Sequence, residues 1–224
     1  MRGQSGEAIK AFRKSIAIDP EWHCHYFTRY WLSLTLISVG DVDGYRSACE
    51  EMLEQFADTT DPKAANTTAW ICALLPDSVA EFGRVVALAE FAANSPDAGT
   101  KELGTKAAVL YRAERYEEAV ATLDEWAPEN LPKTETPMYK WFFLAMAHHR
   151  LGNQAEAADY LQQALDHTDE DLAADLAWQR ESQLDLLRTE ALEVLGVEVP
   201  NPEEATSDAP DQDSSASDCR ETGE

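Results

Sequence analysis

The sequence of residues 141–164, WFFLAMAHHRLGNQAEAADYLQQA, decides the fold of this chain. Its first half carries apolar side chains at helical spacing from Trp141 to His148. Gly152 then ends this helix, because glycine adopts the left-handed conformation of a helix C-terminus at little cost. The second half places three apolar residues on one helix face: Ala157, Leu161 and Ala164. The stretch therefore predicts a helix, a short turn and a second helix.

The same triplet, with offsets of four and three residues, recurs upstream. It is formed by Ala119, Leu123 and Trp126, and again by Ala8, Phe12 and Ser15. Tyr45 and Arg84 stand at the corresponding positions of two degenerate units, where a small residue is expected. A helix pair that recurs along a chain is typical of a solenoid, in which neighbouring units bury a continuous core.

This pattern resembles the tetratricopeptide repeat (TPR) signature, which the following residues carry at the family's spacing: Trp141, Leu144, Ala145, Gly152, Ala157, Leu161 and Ala164. The resemblance implies an all-α, right-handed solenoid of antiparallel helix hairpins. Residues 141–152 and 178–195 further resemble the C-terminal end of large bacterial multidomain proteins, in which TPR arrays often follow an N-terminal serine/threonine kinase domain. The sequence contains no Gly-rich nucleotide loop, HRD-type catalytic loop or DFG motif, so no kinase activity is expected of these residues.

Helical periodicity predicts ten helices, and no run of β-branched residues alternates as a strand would. The predicted helices span residues 5–18, 22–39, 43–56, 62–75, 78–94, 99–113, 116–126, 136–151, 154–167 and 172–195. The last is amphipathic and is expected to cap the open end of the solenoid. We expect residues 1–196 to form one TPR-like domain that begins mid-repeat. Residues 197–224 have no large apolar side chain after Val199 and are predicted to form a disordered acidic tail.

The net charge of −24 restricts the partners of the chain. Nucleic acids and anionic membranes bind Lys and Arg patches, so neither is expected as a partner. A basic peptide or protein face is the partner class that the charge favours. The longest apolar run, residues 31–39, is far shorter than the roughly 20 residues of a membrane span. Because there is no signal-peptide core and no close cysteine pair, we expect a cytoplasmic protein.

No motif predicts catalysis, a cofactor or a metal site. The sequence has no P-loop, GxSxG or CxxC. His23-Cys24-His25 is a close cluster, but side chains two residues apart on a helix diverge, so we expect a solvated helix start. Cys49 and Cys72 fall on apolar helix faces and are expected to be buried thiols. His148 is expected at the edge of the core with a backbone or carboxylate partner.

The family resemblance implies that the first helix of each unit lines an inner groove. The groove positions carried over to this sequence are Phe27, Tyr30, Lys101, Tyr111, Arg112, Tyr139, Phe142, His149 and Arg150. Aromatic and Arg side chains dominate interface hot spots. We therefore expect a non-catalytic scaffold that holds an extended or helical segment of a protein. The alternative is a regulatory fragment of a larger kinase–TPR protein without its own ligand, and the half-repeat at residues 1–20 could also drive self-association.

Overall fold

The computed structural model describes residues 2–19, 25–125, 138–172 and 178–197. These residues form ten α-helices and no strand. In chain order the helices are α1 (Arg2–Ile18), α2 (His25–Ser38), α3 (Val42–Phe56), α4 (Pro62–Ala73), α5 (Phe82–Ala93), α6 (Thr100–Arg112), α7 (Tyr116–Asp124), α8 (Met138–Arg150), α9 (Gln154–Leu172) and α10 (Trp178–Leu195). His23, Cys24, Trp126 and residues 198–224 of the predicted tail lie outside the described residues.

Local capping signals explain where several helices begin and end. The Asp61 carboxylate accepts the Lys63 N–H at 2.9 Å and Pro62 occupies the first turn of α4, both of which are favourable at a helix N-terminus. Gly152 has a φ of 82°, the left-handed conformation predicted for the end of α8. The Gly152 signal is local, so the sequence alone predicted it.

Three helix boundaries differ by four residues or more from the predictions. α10, predicted from residue 172, spans Trp178–Leu195, and Leu172 belongs to α9 instead. α5 begins at Phe82 rather than at residue 78. The Ser78 hydroxyl donates to the carbonyl of Cys72 and is buried, so it ties the turn between α4 and α5 instead of starting a helix. α9 continues to Leu172, beyond the predicted end at residue 167.

Consecutive helices pair into hairpins. α8 and α9 pack along each other and are joined by residues 151–153 alone, which requires them to run antiparallel. The pairs α2–α3, α4–α5 and α6–α7 also pack together. The even-numbered helices α2, α4, α6 and α8 contact one another in order and form one layer, which we call the inner layer. The predicted all-α stack of helix hairpins is confirmed.

The predicted triplet is buried on α9, and buried triplets with the same spacing occur on α3 and α5. On α7 only Ala119 and Leu123 are described, and on α1 the third member, Ser15, is exposed. Tyr45, Cys49 and Met52 on α3 are all fully buried. On α5 the buried triplet is Val85, Ala89 and Ala92. The position assigned to Arg84 is therefore wrong by one residue, since Arg84 is exposed and Val85 is inside. The buried face of α5 follows its apolar spacing through Val85, Leu88, Ala89 and Ala92, and Arg84 does not lie on that face.

Tyr45 shows how the second unit tolerates a bulky side chain at a position that is usually small. Its ring is fully buried, and its hydroxyl donates to the carbonyl of Ile71 near the end of α4. At this position the long Tyr45 side chain reaches from α3 to α4 of the next hairpin, where a small residue would let the helices pack closely. Burial raises the pKa of Tyr45 well above its ordinary value, and nearby Cys49 and Cys72 add to the effect.

The terminal helix α10 contacts both the last hairpin and the inner layer of the stack. It packs against α8 and α9, the last hairpin, as a cap would. It also contacts α2, at the other end of the inner layer. Its buried residues Leu184, Leu187, Ala191 and Leu192 belong to the same core as the hairpins. α10 therefore lies along the inner layer and fills part of the predicted groove.

Candidate binding groove

Hydrogen bonds fix α10 across the inner layer. The Trp70 indole N–H of α4 donates to the Gln183 side-chain oxygen of α10 at 2.7 Å. The Gln183 amide in turn donates to the Tyr30 hydroxyl of α2 at 3.3 Å. Trp178, the first residue of α10, lies with its ring centroid 6.0 Å from that of Trp31. Residues on α2 and α4 thus hold the N-terminal half of α10.

An ion pair holds the C-terminal half of α10. The Arg112 guanidinium of α6 donates to both carboxylate oxygens of Glu190, one of them at 2.6 Å. It also donates to the carbonyls of Ala73 at 2.8 Å and Leu74 at 3.2 Å, at the end of α4. Only 5% of the Arg112 side chain is exposed. Arg112, predicted to bind a partner, is therefore engaged by the chain's own terminal helix.

A cavity of about 440 Å³ remains between the N-terminal half of α10 and the inner layer. Its walls are mostly aromatic, with Phe27, Tyr30, Trp31, Trp70, Tyr139 and Phe143. Polar groups line the rest: Asn66, Thr67, Thr100, Thr105, Gln179 and Gln183. Three basic residues, Lys101, Lys140 and Arg180, also line it, whereas no Asp or Glu does so among the described residues. The cavity combines an apolar surface with local positive charge.

Four of the nine predicted groove residues line this cavity: Phe27, Tyr30, Lys101 and Tyr139. The Phe27 side chain is 55% exposed, which is unusual for so large an apolar group. The Tyr139 ring packs 5.4 Å from the Trp70 ring. Burial raises the pKa of Tyr30, partly offset by its hydrogen bond with Gln183, so its hydroxyl stays protonated at neutral pH.

Phe142 and Tyr111 are core residues rather than groove residues. Phe142 has no exposed surface, because α8 is surrounded by α6, α7, α9 and α10 and residues 142–147 are all buried. The placement of Phe142 on the groove surface is therefore wrong. Tyr111 is only 5% exposed, and its ring packs 5.7 Å from the Phe143 ring.

His149 and Arg150, at the end of α8, do not line the cavity. The His149 Nδ1 is buried and has no hydrogen-bond partner among the described residues. Arg150 is exposed, and its hydrogen bond with the Tyr111 phenol raises its pKa. The neighbouring His148 stacks on Tyr160 and contacts the Asn153 amide at 3.2 Å, in place of the predicted backbone or carboxylate partner.

Sequence reasoning missed the contribution of α4 to the cavity. Asn66, Thr67 and Trp70 lie on this helix, whose unit is degenerate and offered no family positions to carry over. Asn66 and Thr67 stand four and three residues before Trp70, and this spacing was the available signal for a shared helix face. Residues of α10 could not have been assigned to the cavity, because their partners are far away in the sequence.

Comparisons with known proteins locate one repeat. Residues 141–166 match the family model of the tetratricopeptide repeat. The match covers the α8–α9 hairpin, so the TPR-type resemblance of that segment is confirmed. No curated protein matches the chain.

Two solved structures, both of MamA, show a weaker similarity. The first, titled as the crystal structure of MamA, has a TM-score of 0.45 and 15% identity, over 77% of this chain and 93% of that chain. The second, titled as the crystal structure of MamA protein, has a TM-score of 0.45 and 16% identity, over 79% and 89%. At this similarity the assignment of the fold rests on the helices themselves.

The described residues were also compared with the requirements of a membrane span and of a metal site. None of the described helices combines the length and the apolar composition that crossing a bilayer requires. Within the ranges that the structure covers, no three His, Cys, Asp or Glu side chains are grouped as metal ligands would be. The predicted buried thiols are found, since Cys49 and Cys72 are both fully buried.

Proposed function

We propose that this chain is a non-catalytic protein-interaction scaffold that binds a segment of a partner protein in the cavity beside α10. The observation that carries the proposal is the cavity itself, an aromatic site next to the terminal helix to which four predicted groove residues contribute. Its volume of about 440 Å³ lies within the usual range for ligand sites. Phe27, Tyr30 and Tyr139 supply the aromatic surface that typically dominates the binding energy of protein interfaces.

The position of α10 supports the idea that the inner layer accepts a helical or extended segment. α10 already lies there, held by apolar burial, by Gln183 and by the ion pair between Arg112 and Glu190. A partner would use the same type of surface in the part that α10 leaves open. The predicted basic partner follows from the net charge of the whole chain. It stays a prediction for the chain as a whole, while the basic residues in the described lining of the cavity argue against a basic segment at this site.

The alternative function is a regulatory segment of a larger protein without its own ligand. The same α10 supports it, because an inner layer that is partly filled by its own chain offers less room for a partner. The kinase connection rests on sequence resemblance alone. Self-association through α1 also stays a prediction, and the exposed Ile18 at the end of α1 is its most apolar accessible feature.

Quantitative pulldown from the native cell tests the scaffold. The double variant Phe27→Ala/Tyr139→Ala removes two aromatic walls of the cavity. Because hot-spot aromatics each contribute about 2 kcal/mol or more, proteins retained by the wild-type chain should be lost. The matched control is Phe91→Ala, which removes an exposed aromatic side chain from α5, outside the cavity. Equal retention by wild type and double variant would refute binding in this cavity, provided that circular dichroism shows both chains folded.

A further inference from the structure

The described lining of the cavity beside α10 contains basic but no acidic side chains, although the chain as a whole is acidic. The chain has 42 acidic and 18 basic residues, so a random patch of its surface should be acidic. The described lining of the cavity nevertheless includes Lys101, Lys140 and Arg180 and no carboxylate. Lys101 is exposed at the cavity and has no ion pair with a described residue. Such a local reversal of charge favours an anionic group in the site and disfavours a cationic one.

A buried polar group in the wall adds an independent observation. Asn66 on α4 is only 3% exposed and lines the cavity, yet its side-chain oxygen has no hydrogen-bond partner among the described residues. A buried acceptor without a partner costs about 1–3 kcal/mol. A ligand that donates an N–H to this oxygen would recover that free energy. A peptide backbone supplies such a donor, whereas a simple inorganic anion does not.

The remaining wall is apolar. Trp31, Trp70, Tyr139 and Phe143 surround the space that the polar groups leave. Large apolar or aromatic side chains bury most surface in such a pocket and pack well against aromatic rings. The occupant should therefore present a bulky apolar side chain close to a negative charge, on a backbone that can donate a hydrogen bond.

We propose that the cavity binds an acidic internal segment of the partner protein, with a side-chain carboxylate near Lys101 and a neighbouring large apolar side chain between the aromatic walls. This inference rests on the proposed function and specifies the chemistry of its partner. The overall negative charge of the chain repels such a segment at long range. Recognition of the segment therefore depends on the local positive charge at the cavity and on apolar contact.

Selection from a random peptide library displayed on phage, with the peptides fused at their C-termini, tests this. The fusion removes free carboxyl termini, so only internal segments are selected by the immobilised full chain. Enriched peptides should have a net negative charge and at least one large apolar residue. A representative, synthesised with an amidated C-terminus, is then measured by isothermal titration calorimetry.

The decisive variant is Lys101→Glu, which reverses the charge at the cavity. The affinity of the acidic peptide should fall about tenfold or more, since an unfavourable charge now faces the carboxylate. Lys101→Arg should retain most of the affinity. The matched control is Lys106→Glu on the same helix. The Lys106 side chain does not line the cavity, so the affinity of this variant for the peptide should change less than about twofold.

The peptide experiments distinguish refutation of the acidic occupant from refutation of the cavity as a peptide-binding site. If the enriched peptides are basic or neutral, or bind Lys101→Glu as well as wild type, the acidic occupant is refuted. The cavity still stands as a peptide site in that case if Phe27→Ala/Tyr139→Ala abolishes their binding. If no peptide is enriched, or if none depends on Phe27 and Tyr139, both the acidic occupant and the proposed cavity site are overturned.

Discussion

The Arg112–Glu190 ion pair is the contact whose removal tests most directly how α10 is held in the groove. In the variant Glu190→Ala, Arg112 loses both hydrogen bonds to the carboxylate and keeps only the carbonyls of Ala73 and Leu74. Removing one partner of a buried pair typically costs about 3–5 kcal/mol. Because the Glu190 side chain is 17% exposed and water can reach the vacated position, we expect about 2–3 kcal/mol here.

Urea unfolding followed by circular dichroism measures the loss of stability in Glu190→Ala. Two further variants show whether this loss comes from the ion pair. Glu193→Ala removes an exposed carboxylate one turn along α10 and should cost less than about 0.5 kcal/mol. The double variant Arg112→Leu/Glu190→Leu should lose less stability than the sum of the two single Leu variants, because neither charge is then left unpaired.

Amide hydrogen exchange distinguishes detachment of α10 from global unfolding. If the ion pair mainly fastens α10, exchange in Glu190→Ala should accelerate across residues 178–195 before it accelerates in α4 or α8. The reasoning is refuted if Glu190→Ala unfolds at the wild-type urea concentration and α10 exchanges as slowly as before. A double variant whose loss equals the sum of the single losses would refute direct coupling of the two charges.

Two other predictions concern the packing of the hairpins and the ionisation of a buried phenol. Ala145 on α8 and Ala157 on α9 are both buried where these two helices pack together. Ala145→Leu should therefore overpack the hairpin and lower the free energy of unfolding by roughly 1–3 kcal/mol. Leu161→Ala should leave a cavity and lower it by roughly 2–5 kcal/mol. Thermal unfolding that shows neither loss would contradict the register. Tyr45 has a raised pKa in the folded chain, so its unfolded form ionises first, at a pH of about 10; the contribution of Tyr45 to stability should be constant below that pH and fall as pH rises above it. Tyr45→Phe should lower stability by about 1–2 kcal/mol at neutral pH and flatten this alkaline loss in urea unfolding; an unchanged slope would contradict the assignment.

The helices and their pairing were largely predictable because their signals are local. Offsets of four and three residues place Ala157, Leu161 and Ala164 on one face whatever the rest of the chain does. Gly152 ends α8 by its own backbone preference. The error at Arg84 was also local, since the apolar spacing of Val85, Leu88, Ala89 and Ala92 marks the buried face of α5 and excludes Arg84.

The groove was only partly predictable, because its occupancy depends on long-range contacts. Family positions placed Phe27, Tyr30, Lys101 and Tyr139 on the correct helices, and these residues line the cavity. The same reasoning placed Phe142 at the surface, since nothing in the sequence near α8 indicates that neighbouring helices enclose it on every side. The net charge, a sum over all residues, likewise conceals the basic lining of the cavity.

By itself, the amino-acid sequence determined an all-helical chain of repeated hairpins, because helix periodicity and capping act between residues only a few positions apart. Only the tertiary structure decided that α10 lies along the inner layer. The contacts responsible join Gln183 to Tyr30 and Glu190 to Arg112, which are separated in the chain by 153 and 78 residues. Such pairings depend on the geometry of the whole helix stack, which no local pattern specifies.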